Sequence, residues 1–372
     1  MDGQRLKDNL ARVMMHGDEV PLFFYSDLFL RHPEARELFP VAMGTQRDRL
    51  VQALARIVAE VDNLDAIVPF VRDLGRDHRK FGAVAGHYGA VGISLIAALR
   101  HFSGPDWSAG LEADWKSAYG VVAGVMIDAA AQDERAQPAW WDATVVGHEL
   151  RMADIAVFRV AVTQPLPYCP GQSVSVESAK APRYWRYFSV ANAPREDGTL
   201  DFHVRMVDGG MLSPALAYGL SVGSQLRLGS PVGEFGRATA SDRDVLMVAG
   251  GTGLAPLKAI AEHLAQLRDP PRVHLFVGAR RAEGLYDLPD LEKMAAAWPW
   301  LTVTPAVSDD LDYPGERGLI ADVVARSGSW ARHHAYVAGP TAMVEATVDR
   351  LISTGVPGDR ISVEDFGGGY LS

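Results

Sequence analysis

Apolar positions change their spacing twice along the chain, and the two changes divide it into three stretches. From residue 1 to about 137 the spacing is helical. Leu6, Leu10, Val13 and Met14 recur at helical intervals, as do Phe24, Leu28 and Phe29, and later Leu50, Leu54, Ile57, Val58 and Val61. His32-Pro33-Glu34 and Ser103-Gly104-Pro105-Asp106 read as breaks between helices, and a last helix is predicted over about Asp114 to Ala131. A polar linker, AQDERAQPAWWDA, follows. From Trp141 the pattern turns to short strands, Ala156–Val162 and Ser173–Val176 first. Pro165, Pro167, Pro170 and Gly171 punctuate them, and more short strands run up to Gly236, which predicts a small antiparallel barrel. From Asp244 strands alternate with helices. The strands are Val245–Val248, Val273–Val277, Thr302–Ala306 and Ala335–Val337; the helices are Pro256–Leu267, Leu319–Arg326 and Ala342–Ser353. This alternation predicts an open parallel α/β sheet. The expected domains are 1–137, all-α; 142–238, β-barrel; and 240–372, α/β.

Composition narrows the chemistry. The 372 residues are 48% hydrophobic, enough for a sizeable core in each stretch. A formal net charge of -10 argues against general nucleic-acid binding, which needs a basic face. Cys169 is the single cysteine, so neither an intrachain disulfide nor a thiolate zinc cluster can form. Charges run through the first twenty residues, and no uncharged apolar run reaches the length of a membrane span. A cytoplasmic monomer with small-molecule partners is expected.

In the helical stretch, Val71, Leu74, His78 and Phe81 fall at i, i+3, i+7 and i+10, on one helix face. Phe23-Phe24-Tyr25 lies on an earlier helix, Pro33 to Phe39 forms a corner ending in an aromatic, and Gln46 and Leu50 share a face at i and i+4. The runs FFYSDLFLRHPEARELF and AYGVVAGVMI resemble the globin domain of the flavohaemoglobins. The resemblance implies haem b with His78 as proximal iron ligand and Phe39 packed on the porphyrin. It implies Tyr25, Gln46 and Leu50 in the distal pocket, where a phenol donates to bound oxygen. In the family a tyrosine and a glutamate back the proximal histidine. Tyr88 matches the tyrosine, but the glutamate position falls on Ala130, within Asp128-Ala129-Ala130-Ala131.

The other two stretches carry the family's reductase motifs. Tyr168-Cys169-Pro170-Gly171-Gln172 resembles its Y-x-P-G-Q turn, Arg186-Tyr187-Phe188-Ser189 its R-x-Y-S signature, and Gly209-Gly210-Met211-Leu212-Ser213 its G-G-x-x-S stretch. These imply an FAD whose phosphates take Arg186 and the backbone amides of Gly210, Met211, Leu212 and Ser213. Tyr187 and Phe188 would line the flavin and Ser189 would hydrogen-bond its N5; Phe188 replaces the family's stacking tyrosine. Gly250-Gly251-Thr252-Gly253-Leu254-Ala255-Pro256 is the G-G-T-G-x-x-P form of a phosphate-binding turn, with Pro256 in the first turn of a helix. Ala338-Gly339-Pro340 matches the C-G-P turn, with alanine for cysteine. Val363-Glu364-Asp365-Phe366-Gly367 resembles the Y-E-x-F-G tail that in the family lies between flavin and haem, with Glu364 and Phe366 matching. Family habit implies NADH, although Arg280 and Arg281 after the second α/β strand could take the 2′-phosphate of NADPH.

The implied function is electron transfer from NAD(P)H through FAD to haem, with O2-dependent oxidation of nitric oxide to nitrate. Two other readings stand beside it: a flavin reductase or diaphorase in which the haem accepts electrons, and a non-catalytic oxygen or redox sensor.

Overall fold

The computed structural model describes residues 1–236 and 243–366. The chain forms two compact units, Met1–Trp140 and Trp141–Ser372.

The first unit is helical throughout: α1 (Gly3–Met14), α2 (Glu19–Arg31), α3 (Gly44–Ala59), α4 (Leu64–His78), α5 (Ala85–Ser103) and α6 (Ala109–Glu134). The predicted last helix is longer at both ends. The Ser108 hydroxyl accepts from the Leu111 backbone N–H at 3.2 Å and caps it several residues earlier than its apolar pattern begins. Val61, predicted in register with Leu50 to Val58, lies beyond the end of α3. Phe81 is also off the helix that carries His78. A 3-10 turn over Arg79–Phe81 follows α4, and Gly82 at φ 78° ends it. The proline at position 33 opens another 3-10 turn, Pro33–Leu38, which delivers Phe39 in extended conformation. Among the described residues no single helix is long and apolar enough to cross a membrane.

The second unit holds two sheets. The first comprises β1 (Trp141–Met152), β2 (Ile155–Val162), β3 (Ser173–Ser178), β4 (Ala181–Ser189), β5 (Thr199–Arg205) and β6 (Gln225–Leu228), with α7 (Leu212–Tyr218) between the last two. Their order is β4-β3-β6-β1-β2-β5, all antiparallel. An antiparallel bridge from Val190 to Phe202 joins the two ends and curls the sheet. Inward residues such as Trp141, Phe158, Val174, Val176, Phe202 and Leu228 make its core.

The second sheet is parallel: β7 (Val245–Gly250), β8 (Val273–Ala279), β9 (Leu301–Val307), β10 (Glu316–Arg317), β11 (His334–Gly339) and β12 (Ile361–Asp365), with α8 (Leu254–Leu264), α9 (Leu288–Ala297), α10 (Ile320–Ser327) and α11 (Thr341–Ser353). The order β10-β9-β8-β7-β11-β12 reverses direction beside β7. The carboxyl ends of β7 and β11 therefore flank a topological switch point, where open α/β sheets leave a crevice for ligands. Central strands buried on both faces read as continuous apolar runs, which is how Val245–Val248 and Ala335–Val337 show in the sequence. The α9 helix and β12, which pairs with β11, were not among the predicted elements. Gly367 and the ends assigned to the barrel at 238 and to the α/β domain at 240 and 372 lie outside the described residues.

Candidate functional site

His78 is the last residue of α4, and a close helix crossing sets its position. Gly75, one turn earlier, lies against the backbone of α6, where an added Cβ would meet Met126 O at 2.4 Å. The Nδ1 of His78 is 2.7 Å from Leu74 O. A carbonyl can only accept, so Nδ1 carries the proton and Nε2 keeps its lone pair. Burial lowers the pKa of the ring, so the imidazole is neutral. These features fit a proximal iron ligand: one nitrogen oriented by the backbone, the other available as a donor. Phe81 packs edge-on to the ring at 6.1 Å between centroids.

The residues predicted for the distal pocket gather elsewhere in the same unit. Tyr25, Phe39 and Leu50 belong to one apolar cluster with Phe24, Leu28 and Phe29. The Tyr25 ring meets Phe29 at 5.8 Å and Phe39 at 5.4 Å. Its hydroxyl makes a long 3.4 Å hydrogen bond to the backbone O of Gln46, and burial pushes its pKa up to about 12, so it remains a protonated donor. Arg36 donates to Phe39 O at 3.0 Å and Val41 O at 3.2 Å, which fastens the corner that carries Phe39.

Tyr88 packs with Leu74, Val122 and Met126. Its backbone O accepts from the Tyr119 hydroxyl at 2.5 Å. Among the described residues no carboxylate hydrogen-bonds to Tyr88 or His78. Asp128 is exposed, and the side chain of Asp133 is engaged by Arg79 and by Gln137. Tyr119 falls within the run AYGVVAGVMI, where no spacing marks it, because its contact depends on the α5–α6 crossing.

In the curled sheet, the pairing of β3 with β4 sets Ser173 opposite Ser189 and Val174 opposite Phe188, with Tyr187 across from Ser175 and Arg186 across from Val176. The Ser189 hydroxyl lies 3.2 Å from Ser173 Oγ and 3.1 Å from Glu364 Oε1, which Ser173 also approaches at 3.2 Å. All three side chains are buried. This cluster joins the R-x-Y-S segment to the far end of the chain, and it is the kind of polar set a flavin edge would meet. Ser213 Oγ accepts from Val207 N at 3.0 Å and pins the Gly210–Ser213 turn; Met211 is exposed and Leu212 is in the core.

At the switch point, Gly250 ends β7 and Gly251-Thr252-Gly253 forms a 3-10 turn into α8, with Pro256 buried in the first turn of that helix. A Cβ on Gly253 would meet Ala338 O at 2.2 Å, so the glycine turn interlocks with Ala338-Gly339-Pro340 at the end of β11. Glu364 pairs with Ala338, and the Phe366 backbone N–H donates to Gly339 O at 3.2 Å. Arg205, missed from the sequence, brings its guanidinium to Gly251: a Cβ there would be 3.5 Å from Arg205 Cζ. No spacing marks Arg205, because β5 and the turn meet only in the fold. Arg280 and Arg281 are exposed beyond β8.

Comparison with known proteins divides the chain in the same order. It matches the models of a globin over residues 22–126, an oxidoreductase FAD-binding domain over 142–236 and an oxidoreductase NAD-binding domain over 247–349. The flavohemoprotein of Bordetella parapertussis is 29% identical over a 392-residue alignment spanning 96% of this chain and 95% of that protein. Along nearly its whole length the chain is similar to the flavohaemoglobins, with a globin followed by FAD- and NAD-binding reductase domains. A solved flavohemoglobin from Malassezia yamatoensis, with bound FAD and heme, shares the fold over 98% of both chains at a TM-score of 0.76 and 17% identity. The electron transfer component XylA of the Pseudomonas putida xylene/toluene monooxygenase is 32% identical over 227 residues. That match spans 60% of this chain and just under two thirds, 64%, of that protein. The polypeptide is thus an oxidoreductase that joins a haem-binding globin to FAD- and NAD-binding domains.

Proposed function

We propose that the chain oxidises a nicotinamide, passes the electrons through FAD to haem b, and uses O2 to oxidise nitric oxide to nitrate. The observation that carries this reading is the neutral His78 with its proton fixed on Nδ1, in a chain that also holds the FAD- and NAD-binding domains. When bound, the haem supplies oxygen binding and one-electron chemistry, and the flavin converts a two-electron donor into single-electron steps.

His78 Nε2 would hold the iron, with Tyr88 behind it and Phe39 against the porphyrin. The Tyr25 hydroxyl would turn from Gln46 O to donate to the ligand; the Gln46 side chain would reinforce it and Leu50 would narrow access. Arg186 would take the FAD phosphates together with the backbone amides of Gly210 to Ser213. Tyr187 and Phe188 would line the ring, and Ser189, held by Ser173 and Glu364, would present its hydroxyl to N5. Gly250, Gly251, Thr252, Gly253 and Pro256 form a cradle for the nicotinamide pyrophosphate, with Arg205 as its cation, and Gly339, Pro340 and Phe366 close the nicotinamide end. The single cysteine, Cys169, is exposed, which suits a reducing compartment, and we place the protein in the cytoplasm as a monomer.

The test is the absorption spectrum of the purified protein with NADH under argon, then NO consumption after air is admitted. A Soret shift to the ferrous form and NADH-dependent NO loss support the reading. Rapid NADH oxidation without NO loss supports a diaphorase instead, a reading favoured by Ala130 and by the similarity to a monooxygenase electron transfer component.

Two further results are expected. The fragment 141–372, which spans the second compact unit, retains FAD and reduces an artificial acceptor with a nicotinamide; a folded, flavin-free fragment would refute the assignment of the flavin residues. The full chain prefers NADH by kcat/KM. If NADPH is preferred, the exposed Arg280 and Arg281 are the cations responsible, and Arg280→Ala or Arg281→Ala erases the advantage.

A further inference from the structure

Where the curled sheet meets the parallel sheet, the second unit buries a polar cluster that the roles above leave unused. Tyr286 and Asp287 stand on the turn leading into α9. The Tyr286 hydroxyl is 2.7 Å from Nδ1 of His203 on β5, with the rings T-shaped at 5.5 Å between centroids, and both side chains are buried. Burial holds His203 neutral and keeps the proton on Tyr286. Asp287, 1% exposed, accepts from Lys258 Nζ on α8 at 2.6 Å and from Arg151 Nη1 on β1 at 3.2 Å. Arg151 also reaches Asp290 on α9, at 2.9 Å. Two adjacent residues thereby tie two strands of the curled sheet to two helices of the parallel sheet. The α8 helix is the one that springs from the glycine turn, and β5 ends at Arg205, over that same turn.

Buried ion pairs add little net stability, because desolvation offsets the attraction; their best-attested use is to select one registry. Apolar packing already joins the two sheets here: Ile155, Val157 and Met152 of the curled sheet pack with Leu257, Leu285 and Leu291. The polar cluster adds direction to that contact.

We propose that Tyr286 and Asp287 are positioning residues that hold the flavin half and the nicotinamide half of the second unit in the alignment needed for two-electron transfer from nicotinamide to flavin. The inference rests on the FAD and NAD reading above. A displacement of about 1 Å between reacting groups is enough to slow a reaction ~100-fold.

The experiment uses the full-length holoprotein and the variants Asp287→Asn and Tyr286→Phe. The first readout is amide hydrogen exchange over 148–154 and 199–205 before any nicotinamide is added. The second is anaerobic flavin bleaching by NADH and by NADH deuterated at C4. In both variants exchange at the two segments is expected to quicken about tenfold. Bleaching is expected to slow by ~10–100-fold with a larger isotope effect, while FAD content and the apparent Kd for NADH stay within about threefold. Should Asp287→Asn not fold, Arg151→Met removes only the partner on the curled sheet and carries the same expectation. Folded variants with unchanged exchange and unchanged bleaching overturn the proposal. A wild-type flavin that NADH does not bleach overturns the functional reading, and this role with it.

Discussion

In His78→Ala the Soret band is lost and the flavin absorption stays. The fold orients this imidazole, with Nδ1 bonded to Leu74 O and the Gly75 contact holding the end of α4 against α6. Partners that only support a metal ligand are worth ~10–100-fold in affinity or activity, so loss of the ligand itself should lower haem content by more than about tenfold. The half-buried site at the helix terminus tolerates alanine, so the helices should persist. The flavin residues lie in a separate compact unit and are not disturbed. The measurement is the haem-to-flavin absorbance ratio after purification, with imidazole added to the growth medium and buffer as a rescue. Haem content equal to wild type would sink the assignment of His78.

NO consumption in the native chain is expected to be weak, and Ala130→Glu is expected to raise it ~10–100-fold. Val122, Met126 and Ala130 recur at i, i+4 and i+8 along α6, and Tyr88 belongs to the same apolar cluster as the first two, so position 130 lies on the stripe of α6 that joins this cluster. A glutamate there could accept from the Tyr88 hydroxyl and, through that tyrosine, make the His78 environment more electron-rich. Among the described residues no acid does this: Asp128 is exposed and Asp133 is held by Arg79. Burial already raises the pKa of Tyr88, so the phenol is protonated and able to donate across the ordinary pH range. Ala130→Gln separates hydrogen bonding from charge, since it restores an acceptor without the negative charge. A native chain already fast, with no gain from glutamate, would show that the proximal carboxylate is dispensable here. Fast NADH oxidation without NO loss in any form would assign the chain to the diaphorase reading.

Much of the architecture is legible in the one-dimensional pattern, because it depends on neighbours in sequence. A 3.6-residue period is a property of one helix, and it marks the all-α first unit without reference to anything it packs on. The apolar runs Val245–Val248 and Val273–Val277 announce buried parallel strands for the same local reason. Turn chemistry is local too. Gly250 to Gly253 before Pro256, and Gly210 before Ser213, carry their backbone requirements with them, so those motifs are found where the fold uses them. Residue 78 is legible as a histidine on an apolar helix face; the extent of that face is not, because Gly82 ends the turn after α4 and takes Phe81 off the helix.

What only the tertiary structure decides are the pairs made by strands and helices that meet from far apart. Ser189 and Glu364 are 175 residues apart, and they touch because β12 adds to the edge of the parallel sheet beside β11 and delivers Glu364 to the Ser173–Ser189 pair. The register that sets those serines opposite one another depends on how β3 pairs with β4, and a slip by one residue would send both side chains to the other face. The proximity of Arg205 to Gly251, the hydrogen bond between Tyr119 and Tyr88, and the Tyr286–Asp287 cluster have the same origin. Each is a polar contact between elements whose own periodicity carries no information about their partner, so the sequence marks the glycine turn and the histidine on its helix, and the crossing of elements chooses the side chains that pack around them.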